Sequence, residues 1–227
     1  MPVAVVTGSS RGLGLAVVRR LLADGWTVHG FARGPQEPAA GLVPHVVDVT
    51  DPAAVQAAAS AVTAAGRVDL LVNNAGAASM NALLLTPAAV AERLMRVNYL
   101  GSFHCLQAFG KAMVRQRAGR IVNVTTVAVP LSLEGEAAYV ASKAAVEALT
   151  RVAARELASS GVIVSAVGFG PVDTALTRGV PRAQLERINA RIGLKESPSP
   201  EAAADFLLAH ARSAESGRIE YLGQLQS

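Results

Sequence analysis

The feature that most constrains the fold is a regular alternation of short apolar runs with longer helical patterns. Each run is rich in Val and Ile and apolar on both faces, which is typical of strands covered on both sides. Strand and helix alternating in this way predict right-handed crossovers and a parallel sheet with helices on both faces. The predicted strands are residues 3–7, 26–31, 45–49, 68–74, 120–126, 162–168 and 218–223. We therefore expect a doubly wound α/β domain with a seven-stranded parallel sheet.

The helical patterns carry start and stop signals. A capping side chain followed by proline begins several helices, and glycine ends several. The predicted starts are Asp51–Pro52, Thr86–Pro87 and Ser199–Pro200. The predicted ends are Gly25, Gly66 and Gly161. The two longest patterns predict helices over 87–117 and 137–160.

Length and composition predict one domain over residues 1–227. The chain has 227 residues, 51% of them hydrophobic, and no Pro-, Gly- or Ser-rich linker divides it. The long segment 174–198 follows the sixth strand, where a substrate lid would lie. The net charge is +4, but the basic residues are scattered along the sequence, so we expect no nucleic-acid binding. An anionic small ligand would better explain some of the arginines. The arginines of 174–198 fit either an acidic substrate or a solvated helix face.

The chain shows no sign of export or membrane insertion. It has no basic start followed by a long apolar run, and no stretch suits a membrane span. Its one cysteine, Cys105, forms no internal disulfide and no metal cluster, and we expect it to be a buried apolar residue. We predict a cytoplasmic protein without a metal site.

A glycine-rich turn follows the first strand directly. Gly8, Gly12 and Gly14 in "TGSSRGLG" let the backbone turn sharply, so that a pyrophosphate could reach the N-terminus of the next helix. The spacing differs from the usual G-x-G-x-x-G. A tight strand-to-helix turn without a ligand is the alternative interpretation.

The end of the second strand indicates which dinucleotide would bind. An acid there would hold a ribose 2′-hydroxyl, but the sequence has Ala32 and Arg33. Arg11 lies inside the glycine loop, and two guanidinium groups together suit a 2′-phosphate. We predict NADP(H); two solvated surface arginines are the alternative.

The segment "YVASK" places Tyr139 and Lys143 four residues apart. On a helix the two side chains share one face, one turn apart. A phenol beside an ammonium group fits acid–base chemistry, and a solvated helix face is the alternative.

Together these motifs resemble the classical short-chain dehydrogenase/reductase family over residues 3–223, and the resemblance implies a Rossmann-type fold. "TGSSRGLG" is similar to that family's cofactor loop, "NNAG" (73–76) to its fourth-strand signature, and "YVASK" to its active site. Asp48 matches the acid that contacts adenine, and Asn98 matches the helix asparagine. The cofactor-binding residues implied are Thr7, Gly8, Ser10, Arg11, Gly12, Leu13, Gly14, Arg33, Asp48, Val49, Asn74, Ala75, Gly76, Tyr139, Lys143, Gly170, Val172 and Thr174.

The resemblance also implies a mechanism. Hydride passes between the nicotinamide and a carbonyl carbon, while Tyr139 gives its proton to the oxygen. A free phenol has a pKa of about 10, and we expect Lys143 to lower it. In the family, the residue matching Lys143 also holds the nicotinamide ribose, and the residue matching Asn98 anchors a water of a proton relay.

Two positions depart from the family pattern. Thr126 stands thirteen residues before Tyr139, where the family has a carbonyl-orienting serine, and it keeps the hydroxyl but adds a methyl group. Ser132 is nearby but off register. Phe169 precedes Gly170 where proline is usual; it could reshape the pocket or simply pack.

Three functions fit these residues. The leading one is an NADPH-dependent carbonyl reductase, or the reverse alcohol dehydrogenase, acting on a small molecule. A non-catalytic NADP(H) sensor on the same fold is the second. A nucleotide-sugar epimerase or dehydratase is the third, although such enzymes resemble longer chains. The helices at 87–117 and 137–160 resemble those that form homodimers or homotetramers in the family.

Overall fold

The expected parallel sheet is present in the computed structural model, which describes residues 1–175 and 177–224. Within these residues the sheet has seven strands in the order β3-β2-β1-β4-β5-β6-β7, and every neighbouring pair is parallel. The strands are β1 (Val3–Thr7), β2 (Thr27–Ala32), β3 (Leu42–Val46), β4 (Leu70–Asn73), β5 (Gly119–Thr126), β6 (Val162–Phe169) and β7 (Ile219–Tyr221). The fold class predicted from the alternation is confirmed.

Helices cover both faces of the sheet. The α-helices are α1 (Gly12–Ala23), α2 (Pro52–Ala65), α3 (Ala88–Leu94), α4 (Gly101–Gln116), α5 (Ala128–Leu131), α6 (Ala137–Leu157), α7 (Arg182–Arg191) and α8 (Pro200–Ser213). On one face α1 and α8 pack together over β1, β4, β5 and β6, and on the other α2, α4 and α6 form the second apolar layer. Cys105 is fully buried in that second layer, as expected. Within the described residues, no helix combines the length and apolar character needed to span a membrane.

The third strand lies three residues before its predicted position. Residues 45–49 were expected, but β3 pairs with β2 over Leu42–Val46. It is an edge strand, so Val46 is 77% exposed and Pro44 is tolerated although it lacks a backbone donor. Val47 and Val49, which gave the pattern, are buried against the second apolar layer beyond the end of the strand. These two valines are apolar because they are buried, and not because they belong to a paired strand.

Two of the three predicted helix starts are confirmed. The Asp51 carboxylate accepts the backbone N–H groups of Ala53 and Ala54, and the Ser199 hydroxyl accepts that of Ala202. Thr86 does not cap a helix, so that prediction is wrong. Its hydroxyl donates to the carbonyls of Asn81 and Ala82, because it ends a short 3₁₀ turn over Leu83–Leu85.

The helix predicted over 87–117 is interrupted. A π-helical segment, Met95–Leu100, separates α3 from α4, and it contains Asn98. Such segments break the regular hydrogen-bond ladder and are frequent at functional sites. The interruption turns the Asn98 side chain away from the apolar layer and toward the loop that follows β4.

A buried polar chain ties the centre of the sheet to α6. Asn73 Nδ2 donates to Asn123 Oδ1 at 2.8 Å, and Asn123 Nδ2 donates to Thr150 Oγ1 at 2.9 Å. All three side chains are buried, so each hydrogen bond replaces one that water can no longer supply. These hydrogen bonds fix the distance at which α6 packs on β5.

We expect Asn123→Ala to lower the free energy of unfolding by about 1–3 kcal/mol, because the buried Asn73 amide and Thr150 hydroxyl each lose one hydrogen-bond partner. Urea unfolding followed by circular dichroism measures the change. Gln56→Ala is the matched control, since its amide hydrogen bond to Ser60 is exposed on α2. Equal stability of the two variants would contradict a structural role for the polar chain.

Candidate active site

A cleft of about 1150 Å³ opens at the carboxyl edge of the sheet. In parallel α/β folds, ligands bind at this edge because the loops after the strands gather there. The cleft is lined by residues that follow β1, β2, β4, β5 and β6, and by the segment after β6. Its volume lies slightly above the usual range of small-ligand pockets, about 300–1000 Å³.

The glycine loop forms one end of the cleft. Gly8 has a φ of +67°, and its N–H donates to the Phe31 carbonyl at 2.8 Å. A Cβ on Gly14 would overlap the carbonyl oxygen of Gly8, so only glycine lets α1 approach the turn this closely. Arg11 holds the position before α1 and its side chain caps no N–H group there. The first-turn donors of α1 therefore remain available to an anion.

Asn74 and Thr7 hold this loop in place. Asn74 Nδ2 donates to the carbonyls of Thr7 and Gly8 at 2.9 and 3.3 Å. Thr7 Oγ1 in turn accepts the N–H groups of Asn74 and Ala75. The "NNAG" segment is therefore a clamp between β1 and β4, in addition to lining the cleft.

Arg11 and Arg33 both line the cleft. The loop that carries Arg33 is fastened to the glycine loop through Gln36, which accepts a hydrogen bond from the Ser9 hydroxyl at 2.6 Å and donates to the Gly30 carbonyl at 2.8 Å. The two arginines thus belong to loops that are tied together. No carboxylate ends β2.

Asp48 lies further along the same wall. Hydrogen bonds from the backbone and hydroxyl of Thr50 to Oδ1, together with Arg33 and Arg96, hold the pKa of this carboxyl below its usual value. Asp48 is therefore ionised at neutral pH. Arg96, two residues before Asn98, was missed by the sequence analysis.

Tyr139, Lys143 and Asn98 come together where α6 meets the π-helical segment. Asn98 Nδ2 donates to the Ala77 carbonyl at 2.9 Å and to Ser142 Oγ at 2.8 Å, and its Oδ1 accepts the Ala77 N–H. Ser142 Oγ donates to the backbone carbonyl of Tyr139 at 2.7 Å. Asn98 thereby connects the loop after β4 to the helical turn that carries Tyr139.

Burial sets the protonation of the Tyr–Lys pair. It raises the pKa of Tyr139 to about 12, with a smaller opposing effect of a hydrogen bond with Thr126 and a further rise from the Glu136 charge. It lowers the pKa of Lys143 to about 8, and Lys143 Nζ donates to the Val124 carbonyl at 2.8 Å. The prediction that Lys143 lowers the pKa of Tyr139 is wrong for the chain alone, because loss of solvation on burial is the largest influence on this pKa and raises it.

Thr126 is the hydroxyl best placed beside Tyr139. Its oxygen accepts the N–H of Ala128 at 3.2 Å and its own proton can point into the cleft. Thr125 donates instead to Glu147, at 2.9 Å, behind the strand. Ser132 is exposed and does not line the cleft.

The segment after β6 closes the opposite wall. Gly170, Val172 and Thr174 all line the cleft, and the Thr174 side chain lies against Gly12 of the glycine loop. Phe169 lines the cleft too, but its ring packs edge-on against Phe206 of α8 at 6.2 Å between centroids. Both interpretations of Phe169 therefore apply, since it packs in the core and also forms part of the wall.

The outer part of the cleft holds a second residue that the sequence analysis missed. Glu136 lines it together with apolar side chains, although it is 91% buried and stands three residues before Tyr139. That spacing places the two residues about one helical turn apart. The sequence alone could therefore have identified Glu136 as a neighbour of Tyr139. The apolar residues are Met80, Leu133, Val180, Leu185 and Ile188.

Comparisons with known proteins show the family to which the chain belongs. The profile of the short chain dehydrogenase family matches residues 2–185. A 3-oxoacyl-(acyl-carrier-protein) reductase FabG of Staphylococcus epidermidis is 33% identical over 204 residues, covering 85% of this chain and 84% of its own. The corresponding reductase MabA of Mycobacterium bovis is 37% identical over 177 residues, covering 78% of this chain and 71% of its own.

Solved structures share the fold. A short chain dehydrogenase from Burkholderia cenocepacia in complex with NADP has a TM-score of 0.85 and 31% identity, covering 98% of this chain and 88% of that one. ElxO with NADP bound has a TM-score of 0.88 at 23% identity, covering 97% and 96%.

The fold and site define an α/β oxidoreductase whose cleft combines a glycine cradle with a tyrosine–lysine pair. The chain belongs to the short-chain dehydrogenase/reductase family, and it is an oxidoreductase acting on CH–OH and C=O groups.

We expect Tyr139 in the cofactor-free chain to ionise only above about pH 10, the ordinary range of a phenol, because burial disfavours the phenolate. The ultraviolet difference between wild type and Tyr139→Phe during a pH titration isolates this group from Tyr99 and Tyr221. Phenolate from Tyr139 near neutral pH would contradict the burial argument.

Proposed function

We propose that the protein is an NADPH-dependent carbonyl reductase in which Tyr139 is the proton donor. One observation carries the proposal: a protonated phenol and the Thr126 hydroxyl face the same cleft as an uncapped helix N-terminus and two arginines. A carbonyl group between the phenol and the hydroxyl would have a proton source and a polarising donor. The names of the relatives, which are ketone reductases, support this direction.

NADP(H) is the cofactor. The cradle fits a pyrophosphate, since Gly8, Gly12 and Gly14 line the cleft beside the uncapped first turn of α1. Arg11 and Arg33 suit the 2′-phosphate, and Asp48 keeps its second carboxylate oxygen available for adenine. The NADP complex of the Burkholderia cenocepacia relative supports the assignment. The other residues that would hold the cofactor all line the cleft: Gly8, Ser10, Gly12, Leu13, Gly14, Val49, Asn74, Ala75, Gly76, Tyr139, Lys143, Gly170, Val172 and Thr174. Thr7 is buried outside the lining, and its part would be to hold Asn74 and Ala75 in place.

The nicotinamide, when bound, supplies the hydride that becomes the new C–H bond of the alcohol. Tyr139 gives its proton to the carbonyl oxygen, so that ketone, hydride and proton make one neutral alcohol. Thr126 donates a hydrogen bond to that oxygen as negative charge develops on it. Lys143 stabilises the phenolate left on Tyr139, and Asn98 holds the turn that carries both groups.

Three further properties belong to the proposal. Segment 174–198 is a lid over the substrate, because α7 contributes Leu185 and Ile188 to the outer cleft. The protein is cytoplasmic. It forms a homodimer or homotetramer through α4 and α6, which is supported by Val152 of α6, 53% exposed, and Leu100 just before α4, 36% exposed.

We expect NADPH to bind much more tightly than NADH, and Arg33→Ala to remove most of the difference. One charge-assisted hydrogen bond contributes about 1.5–3 kcal/mol, so the NADPH Kd should rise about 10- to 100-fold while the NADH Kd changes little. Fluorescence titration of both cofactors measures the effect. Arg19→Ala is the control, since Arg19 is an exposed arginine of α1 outside the cleft. Equal affinity of the wild type for both cofactors would refute the 2′-phosphate site.

We expect Tyr139→Phe to bind NADPH but to lose about 10²–10⁴-fold in ketone turnover, since it lacks only the proton donor. Thr126→Val, which keeps the shape and removes the hydroxyl, should lose about 10²–10³-fold, as for other oxyanion donors. Thr126→Ser should stay active. A panel of ketones with NADPH oxidation as the readout measures all three.

The panel also separates the proposal from its rival. NADPH binding without turnover of any ketone by the wild type would favour a non-catalytic sensor. Full activity of Thr126→Val beside an inactive Tyr139→Phe would make Thr126 a packing residue only.

A further inference from the structure

We infer that Glu136 is a specificity-determining residue, whose carboxylate binds a hydrogen-bond donor on the substrate close to the carbonyl that is reduced. The inference rests on the proposed carbonyl reductase function and names the class of ketone that this site prefers. Such a ketone carries a hydroxyl, amide N–H or ammonium group near its carbonyl.

The backbone fixes the position of Glu136. It is the residue before α6, its carbonyl accepts the N–H of Val140 at 2.7 Å, and its side chain makes no capping hydrogen bond. It stands one helical turn before Tyr139 and lines the same cleft, and the Tyr139 phenol senses its charge. A substrate carbonyl beside Tyr139 would therefore have the Glu136 carboxylate near its substituents.

Glu136 is largely buried, but its carboxylate opens onto the cleft and lacks a partner in the protein. Glu136 is only 9% exposed, and among residues 1–175 and 177–224 no donor forms a hydrogen bond or ion pair with its carboxylate. Burial raises the pKa of this carboxyl, as expected where nothing compensates its charge. Buried acids are ordinarily paired. A ligand that donates a hydrogen bond would supply what the protein does not.

The surroundings make the preference selective. Many of the residues that line the cleft are apolar, among them Leu133, Val180, Leu185 and Ile188, and these cannot hydrogen-bond a polar substituent. Two other acids line the cleft: Asp48 is already bonded to Thr50, and Glu92 is exposed to solvent on α3. A donor group on the substrate would find its acceptor at Glu136, whereas a carboxylate or phosphate at that place would be repelled.

A purely structural role makes a different prediction. An acid at a helix N-terminus interacts favourably with the helix dipole. Its loss would then lower stability without altering the choice among substrates. Substrate preference is therefore the readout that separates the two roles.

The experiment compares matched pairs of ketones that differ only in whether a hydroxyl or amide N–H near the carbonyl is present or methylated. We expect wild type to favour the donor-bearing ketone in kcat/KM by about 10- to 100-fold, the range for a hydrogen bond to a charged group. Glu136→Gln, which is isosteric and uncharged, should reduce that preference to a few-fold. Glu136→Leu should abolish it, with thermal unfolding as a check on folding.

Glu134→Gln is the matched control, because Glu134 is exposed two residues away and does not line the cleft. It should keep the wild-type preference. Equal kcat/KM for both members of each pair in wild type, or an unchanged preference in Glu136→Gln, would overturn the inference and leave the reductase intact. Absence of turnover with every ketone would instead overturn the proposed function, and the inference with it.

Discussion

The parallel direction of the strands is the constraint on which the site depends. Each crossover helix returns the chain to the start of the next strand, so every loop that follows a strand reaches the same edge of the sheet. Thr7, Arg33, Asn74 and Thr126 are far apart in sequence, yet each lies at or just beyond the end of a strand and borders or clamps one cleft. The polar chain from Asn73 to Thr150 then sets the position of α6 above that edge.

Burial at this edge determines the protonation states of Tyr139 and Lys143 before a ligand binds. With its pKa raised to about 12, the Tyr139 phenol is fully protonated at neutral pH. With its pKa lowered to about 8, Lys143 is mostly protonated at neutral pH, and a small fraction of it is neutral. The chain alone therefore favours proton donation by Tyr139 over proton abstraction. Any charge added to the cleft would change this balance, since desolvation is the main cause of both shifts.

Much of the fold and the site could be predicted from the sequence, because strand periodicity and spaced motifs are local signals. The third strand was misplaced because Val47 and Val49 are buried without being paired, and periodicity cannot distinguish the two. The π-helical segment at Asn98 was not foreseen, since it depends on contacts with Ala77 and Ser142 that lie far away in sequence. Glu136 had the right spacing, but its burial without a partner is a property of the folded chain.

The first turns of α6 combine functions that are usually spread over several elements. Ser142 joins this part of the helix to Asn98, Lys143 reaches the carbonyl of Val124 in β5, and Tyr139 faces the cleft between them. Each contact restricts the rotation of the helix about its own axis. Because the Glu136 carbonyl accepts the N–H of Val140, the backbone of Glu136 is held at a fixed place relative to Tyr139. A substrate that engages both side chains would be oriented by one helix, which would set the face of the carbonyl that is presented to the hydride.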